Sequence, residues 1–315
     1  MPNTNHLNLN CPIHGDYQKF KSDPNQNCPH CVKLKIESEQ SIPSIKSLLK
    51  TKIVQVGCKE HGFKQIEVPK SIEFNTLCYE CERNKNEKLF STAKQGRIDE
   101  EYRKANLPAN TLGMGFNRLD QTQSDRQGII CQALTAMILT TLDKGDAISA
   151  KNILFTGGMG TGKTLMMSIF LQNIIKRSFK NQSSLDPNDL SMNNRLRCFF
   201  ITEAQIIQTI KESWNKESKE SYKRFIHKLS TVPILAIDDV GSIESSSHLF
   251  EMYTSVIDER YKRRLPILMT SNVTHEEIHK IIGTRPTDRL LESERALVIR
   301  CDWQSYRRRN GLSVI

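Results

Sequence analysis

The chain has 315 residues with 45 Lys and Arg against 35 Asp and Glu, a net charge of +10. That length exceeds what one hydrophobic core usually organises, so two or more folded units are expected. Hydrophobic residues at 37% and charged residues at 25% exclude disordered and fibrous classes. No apolar run approaches the roughly 20 residues that cross a bilayer, and the first thirty residues lack an apolar signal core, so a cytoplasmic protein with no membrane partner is expected. The positive charge favours polyanionic partners.

Six of the nine cysteines fall in the first 81 residues, in two similar clusters. The first reads Cys11-Pro-Ile-His14-Gly and then Cys28-Pro-His-Cys31; the second reads Cys58-Lys-Glu-His61-Gly and then Cys78-Tyr-Glu-Cys81. In a reducing compartment such spacing argues for metal before disulfides. Two residues between ligands let a tight turn aim both side chains at one ion, and Gly15 or Gly62 can take a positive φ there. Each unit then supplies three cysteines and one histidine to a closed tetrahedral site, the mark of a structural zinc. Two Zn2+ ions are expected, with His30 a rival to His14 in the first site. Alternation in Lys52–Val56 and Phe63–Val68 predicts short strands, as in a zinc ribbon. The expected layout is a zinc-stabilised domain over 1–82, with units at about 8–36 and 55–84, and an exposed, charged helical linker over 83–106. The remainder, 107–315, is expected to form a separate domain.

The segment Gly157-Gly158-Met159-Gly160-Thr161-Gly162-Lys163-Thr164 fits G-x-x-x-x-G-K-[ST] without a mismatch. It follows a predicted buried strand, Ile153 to Thr156, and precedes an apolar helix carrying Leu165, Met166, Ile169 and Phe170. Its glycines let backbone N–H groups wrap the phosphate oxygens of ATP or ADP, Lys163 reaches the β-phosphate and, in ATP, the γ-phosphate, and Thr164 offers a hydroxyl to Mg2+. A second strand, Pro233-Ile-Leu-Ala-Ile-Asp238-Asp239, ends in two carboxylates. Asp238 is expected to hold the magnesium shell and Asp239 to orient or deprotonate water. Runs at Arg197–Thr202, Pro266–Asn272 and Ala296–Cys301 complete an α/β fold with a five-stranded parallel sheet covered by helices. Cys131, Cys198 and Cys301 are read as core residues.

At this point the chain resembles the AAA+ P-loop ATPases, in the branch of DnaC-type replicative helicase loaders and the related IstB transposition ATPases. The resemblance spans about Leu107 to Arg309. It rests on Gly157–Thr164, Ile237–Gly241, Thr270-Ser-Asn272, Asp288-Arg-Leu290, Ser305-Tyr-Arg307 and Tyr261-Lys-Arg-Arg264. It implies that Asn272 holds the lytic water or γ-phosphate and that Arg289 acts on a neighbouring subunit's nucleotide, with Arg285 as a rival. Arg307 is implied to touch the γ-phosphate, with Arg308 and Arg309 as rivals. The resemblance further implies a homo-oligomer, a hexameric DnaB-like replicative helicase as partner, single-stranded DNA, and a bacterial or phage-infected cell. The competing accounts are a transposition ATPase acting on duplex DNA and a nucleotide-switched binding protein. Most AAA+ enzymes carry Asp-Glu where this chain has Asp238-Asp239, so slow, partner-stimulated hydrolysis is expected. The basic stretch Arg260 to Arg264 is a candidate DNA contact.

Overall fold

The computed structural model describes residues 6–12, 15–20, 27–28, 51–70, 78–119, 125–179, 190–212, 219–243 and 246–308. His14, His30, Cys31 and Arg309 lie outside them. The chain divides into two compact units, Met1–Asn86 and Glu87–Ile315.

The first unit contains two antiparallel hairpins, β1 (His6–Cys11) with β2 (Gly15–Phe20) and β3 (Thr51–Cys58) with β4 (Gly62–Pro69). Their registers pair Cys11 with Gly15 and Cys58 with Gly62, so in each motif the cysteine and the glycine face each other at the end of a hairpin. Gly62 has a φ of 78°, the left-handed conformation that only glycine adopts without cost. Helix α1 (Tyr79–Lys104) begins just after Cys78. Its C-terminal part is not the exposed linker expected from its charges. Ile98 and Tyr102, one turn apart, are buried and join the core of the second unit.

The second unit runs α2 (Asp125–Lys144), β5 (Asn152–Gly157), α3 (Lys163–Ser178), β6 (Cys198–Thr202), α4 (Glu203–Glu212), α5 (Lys219–Thr231), β7 (Ile234–Val240), α6 (Ser247–Arg263), β8 (Ile267–Ser271), α7 (His279–Ile282), α8 (Thr284–Leu290) and β9 (Ala296–Cys301). The five strands β5 to β9 form one parallel sheet in the order β6-β7-β8-β5-β9. Side chains alternate across it. Ile153, Phe155, Phe200, Ala236 and Leu268 enter the core shared with α2 and α3; Leu154, Phe199, Leu235, Ile237 and Met269 enter the core shared with α4, α6 and α8. Both faces are covered, which is why these strands are continuous apolar runs. Each such side chain contributes roughly 1.5–3 kcal/mol by leaving water.

Two backbone features position the site. The register between β7 and β8 shifts between Ile237 and Val240, and Asp239 takes a φ of 56°. The shift turns Asp238 inward, 4% exposed, and leaves Asp239 at the surface. At the other end of the sheet, Arg260 is fully buried and donates to the carbonyls of Leu229, Val232, Pro233 and Pro266 at 2.6–3.1 Å. Burial pulls its guanidinium down to about 9. Arg260 therefore staples the entries to β7 and β8 and is unavailable to DNA. Of the basic stretch, Lys262, Arg263 and Arg264 stay exposed.

Candidate active site and metal centre

The phosphate-type loop joins β5 to α3 at the C-terminal edge of the sheet, where loops converge in parallel α/β folds. Lys163 is 5% exposed, and its Nζ donates to the carbonyls of Gly157 and Gly158, both at 2.7 Å, and to Asn272 Oδ1 at 2.9 Å. Burial lowers its pKa from the ordinary lysine value. Asn272 reaches Lys163 because β8 lies between β5 and β7.

In the first turn of α3, Thr164 Oγ1 donates to both oxygens of Asp238, at 2.9 and 3.1 Å. Thr270 Oγ1 donates to Asp238 Oδ1 at 2.6 Å and accepts the Asp239 backbone N–H at 2.9 Å. Thr270 thus fixes the two acidic residues relative to each other. Burial is the main reason the Asp238 carboxyl lies above its usual value, with the Asp239 charge adding to it and the two threonine hydroxyls opposing it. An anionic Asp238 beside a hydroxyl is a hard oxygen pair of the kind that binds Mg2+.

Met159 to Thr164, Asp238, Asp239 and Asn272 line one cavity of about 660 Å³, together with Arg118, Tyr306 and Arg307. Gly157 and Gly158 bound the same loop, with their carbonyls on Lys163. The volume is that of a small-molecule cofactor site. A cationic side chain, a helix N-terminus and a carboxylate–hydroxyl pair meet there, a donor set that fits a metal-bound polyphosphate.

The remaining arginines divide. Arg307 stands at the cavity. Arg289 and Arg285 both pair with Asp258 of their own chain, Arg285 at 2.9 Å, and the Arg289 guanidinium lies 5.3 Å over the Tyr261 ring.

In the first unit, Cys58, His61, Cys78 and Cys81 bring their ligand atoms within 4.8 Å of one another. Cys58 Sγ lies 3.3 Å from His61 Nδ1 and 3.5 Å from Cys81 Sγ; His61 Nδ1 lies 3.6 Å from Cys78 Sγ and 3.4 Å from Cys81 Sγ. Zinc at ~2.3 Å from sulfur and ~2.1 Å from nitrogen sets tetrahedral ligand atoms about 3.5–3.8 Å apart, so the cluster fits that ion. The ring's other nitrogen, Nε2, faces Glu80 at 3.5 Å, the carboxylate that commonly orients a ligating histidine. Of the first cluster, Cys11 and Cys28 are buried.

Three residues escaped the sequence reading. Thr270 was visible only as part of a motif, and Glu80 only as a residue between two ligands. Glu203 is fully buried and accepts from Tyr253 Oη at 2.7 Å and from the Gly241 N–H at 2.9 Å, just beyond Asp239. Nothing local in the sequence marks it.

No family model matches the chain. The replicative helicase loader DnaC of Escherichia coli strain K12 is 27% identical over 158 residues, covering 50% of this chain and 57% of DnaC. This chain is similar to the DnaC-type loaders. The loader DnaC of Buchnera aphidicola subsp. Acyrthosiphon pisum is 24% identical over 156 residues. The loader DnaI of Bacillus subtilis strain 168 is 20% identical over 201 residues, covering 64% of this chain and 55% of DnaI. The chain thus spans little more than half the length of the curated loaders it matches. Among solved structures, a DnaC helicase loader aligns with a TM-score of 0.46 at 18% identity, over 61% of this chain and 99% of that one.

Proposed function

We propose that this chain is an ATP-dependent, DnaC-like helicase loader that binds a hexameric replicative helicase and helps place it on single-stranded DNA. The observation that carries the reading is the junction of Thr164 with Asp238, which joins the end of the phosphate-type loop to an acidic strand tip on a chain similar to loaders. Thr164 and Asp238 would hold Mg2+, which neutralises phosphate charge during transfer. Gly157 to Lys163 bind the triphosphate, with Lys163 exchanging its carbonyl partners for phosphate oxygens. Asp239 and Asn272 orient water so that its oxygen attacks the γ-phosphorus, the bond to the β–γ bridging oxygen breaks, and ADP and phosphate result. Arg307 contacts the γ-phosphate from its own subunit. Arg289 acts on a neighbour's nucleotide in a homo-oligomer, after leaving Asp258.

In the same reading the chain divides into a zinc module over 1–82, a helical linker over 83–106 and an AAA+ ATPase domain over 107–315. The module holds two zinc ions, one on Cys58, His61, Cys78 and Cys81 and one on Cys11, His14, Cys28 and Cys31. The protein works in the bacterial cytoplasm.

The test is capture of purified hexameric helicase by the immobilised chain, with and without ATP and Mg2+. Retention that requires ATP, and that Lys163→Ala loses, supports the loader. A chain that instead assembles on duplex DNA and ignores helicase is a transposition-type ATPase.

A further inference from the structure

The segment that follows β9 hydrogen-bonds the phosphate-type loop. Trp303 Nε1 donates to the Thr161 carbonyl at 2.9 Å, and the Tyr306 backbone N–H donates to the Gly160 carbonyl at 2.8 Å. Tyr306 is itself anchored, its hydroxyl accepting from Gln127 Nε2 on α2 at 3.0 Å. Between the two contacts, Ser305 lies so close that a Cβ on Gly160 would stand 2.1 Å from Ser305 Oγ. Position 160 thus needs glycine for two reasons, its φ of 77° and this seat.

A trans peptide unit is planar, with the carbonyl of one residue and the N–H of the next pointing in opposite directions. Fixing the Gly160 carbonyl toward Tyr306 therefore aims the Thr161 N–H the other way. Fixing the Thr161 carbonyl toward Trp303 does the same for the Gly162 N–H. The loop's inner side is the cavity that Lys163 and the N-terminus of α3 border. Backbone amides converging there are what bind phosphate.

We propose that Trp303 and Tyr306 are positioning residues for the phosphate site. They pin two outer carbonyls of the loop and thereby preset the Thr161 and Gly162 amides toward a bound polyphosphate. The inference rests on the nucleotide reading of the loop. It assigns the work of aiming that loop to one side chain and one backbone amide about 140 residues downstream. An outward carbonyl left unpinned lets its peptide unit rotate, and the order must then be supplied by binding itself.

Trp303→Phe tests this, because it keeps an aromatic ring, though a smaller one, and removes the donor. With Mg2+ present, ATP and inorganic pyrophosphate should each bind about 3- to 10-fold more weakly, the worth of one net hydrogen bond. The nucleotide-free melting temperature should move by less than about 2 °C. Because the amides serve ground and transition states alike, KM should rise with kcat little changed. A merely structural role would lower kcat through loss of folded protein and leave KM alone. Wild-type affinity in Trp303→Phe, with wild-type protein binding ATP, overturns the proposal while sparing the nucleotide reading. Failure of wild-type protein to bind either ligand overturns both.

Discussion

At the scale of single residues, the site sets two buried charges, Lys163 and Asp238, beside two exposed ones, Asp239 and Arg307. Lys163 is ringed by three oxygen acceptors, and its replacement removes an ammonium from the cavity lining. Lys163→Ala should abolish ATP binding, whereas Asp239→Asn should retain binding and slow turnover by about 10²-fold or more, in nucleotide titrations and phosphate-release assays. Asp238 shows the cost of function. Its carboxyl is raised by burial above the ordinary 3.8, so the folded state keeps a proton that the unfolded chain has already lost. Stability from this residue is full below that value and declines as pH rises through the folded one. Asp238→Asn cannot ionise, so without nucleotide and with chelator present it should melt higher than wild type at pH 7. The gap should close toward pH 4; calorimetry across that range checks it. Lys163, Thr164, Asp238 and Asp239 were legible because their chemistry demands those types at that spacing. Glu203 and Asp258 were not, and Thr270 only within a motif, because their partners lie on other strands and helices.

At the scale of elements, the sheet order places the site. Strand β8 between β5 and β7 carries Thr270 to Asp238 and Asn272 to Lys163. All five strands were legible, each an apolar run with one flank polar or proline, and the structure keeps them within a residue or so. Helix α1 was read as wholly exposed because only Ile98 and Tyr102 of its 26 residues are buried, too narrow a stripe to stand out of a charged sequence. Arg260 misled for a related reason, since an arginine among others at a helix end reads as surface charge. Replacing it strands four buried carbonyls. Arg260→Leu should cost about 3–5 kcal/mol in urea unfolding, with DNA affinity of the remaining folded protein unchanged.

At the scale of the whole molecule, the chain couples a cysteine-rich unit to an α/β unit. The repeat in the first unit was legible as spacing, and the hairpin registers explain it: in both copies the cysteine and the glycine after the histidine pair across the turn. Metal analysis should find two zinc ions per chain, falling to one in Cys58→Ser. One zinc in wild type would confine the site to the Cys58 cluster. What no local pattern supplies is assembly: the proposed action of Arg289 on another subunit's nucleotide requires it to leave Asp258, with which it pairs here. The measurement that tests the account most directly is the amount of hexameric helicase deposited on circular single-stranded DNA with this chain, ATP and Mg2+. Deposition should rise several-fold over helicase alone and fall to background with Lys163→Ala. No rise, from protein that binds ATP and captures helicase, would contradict the loader.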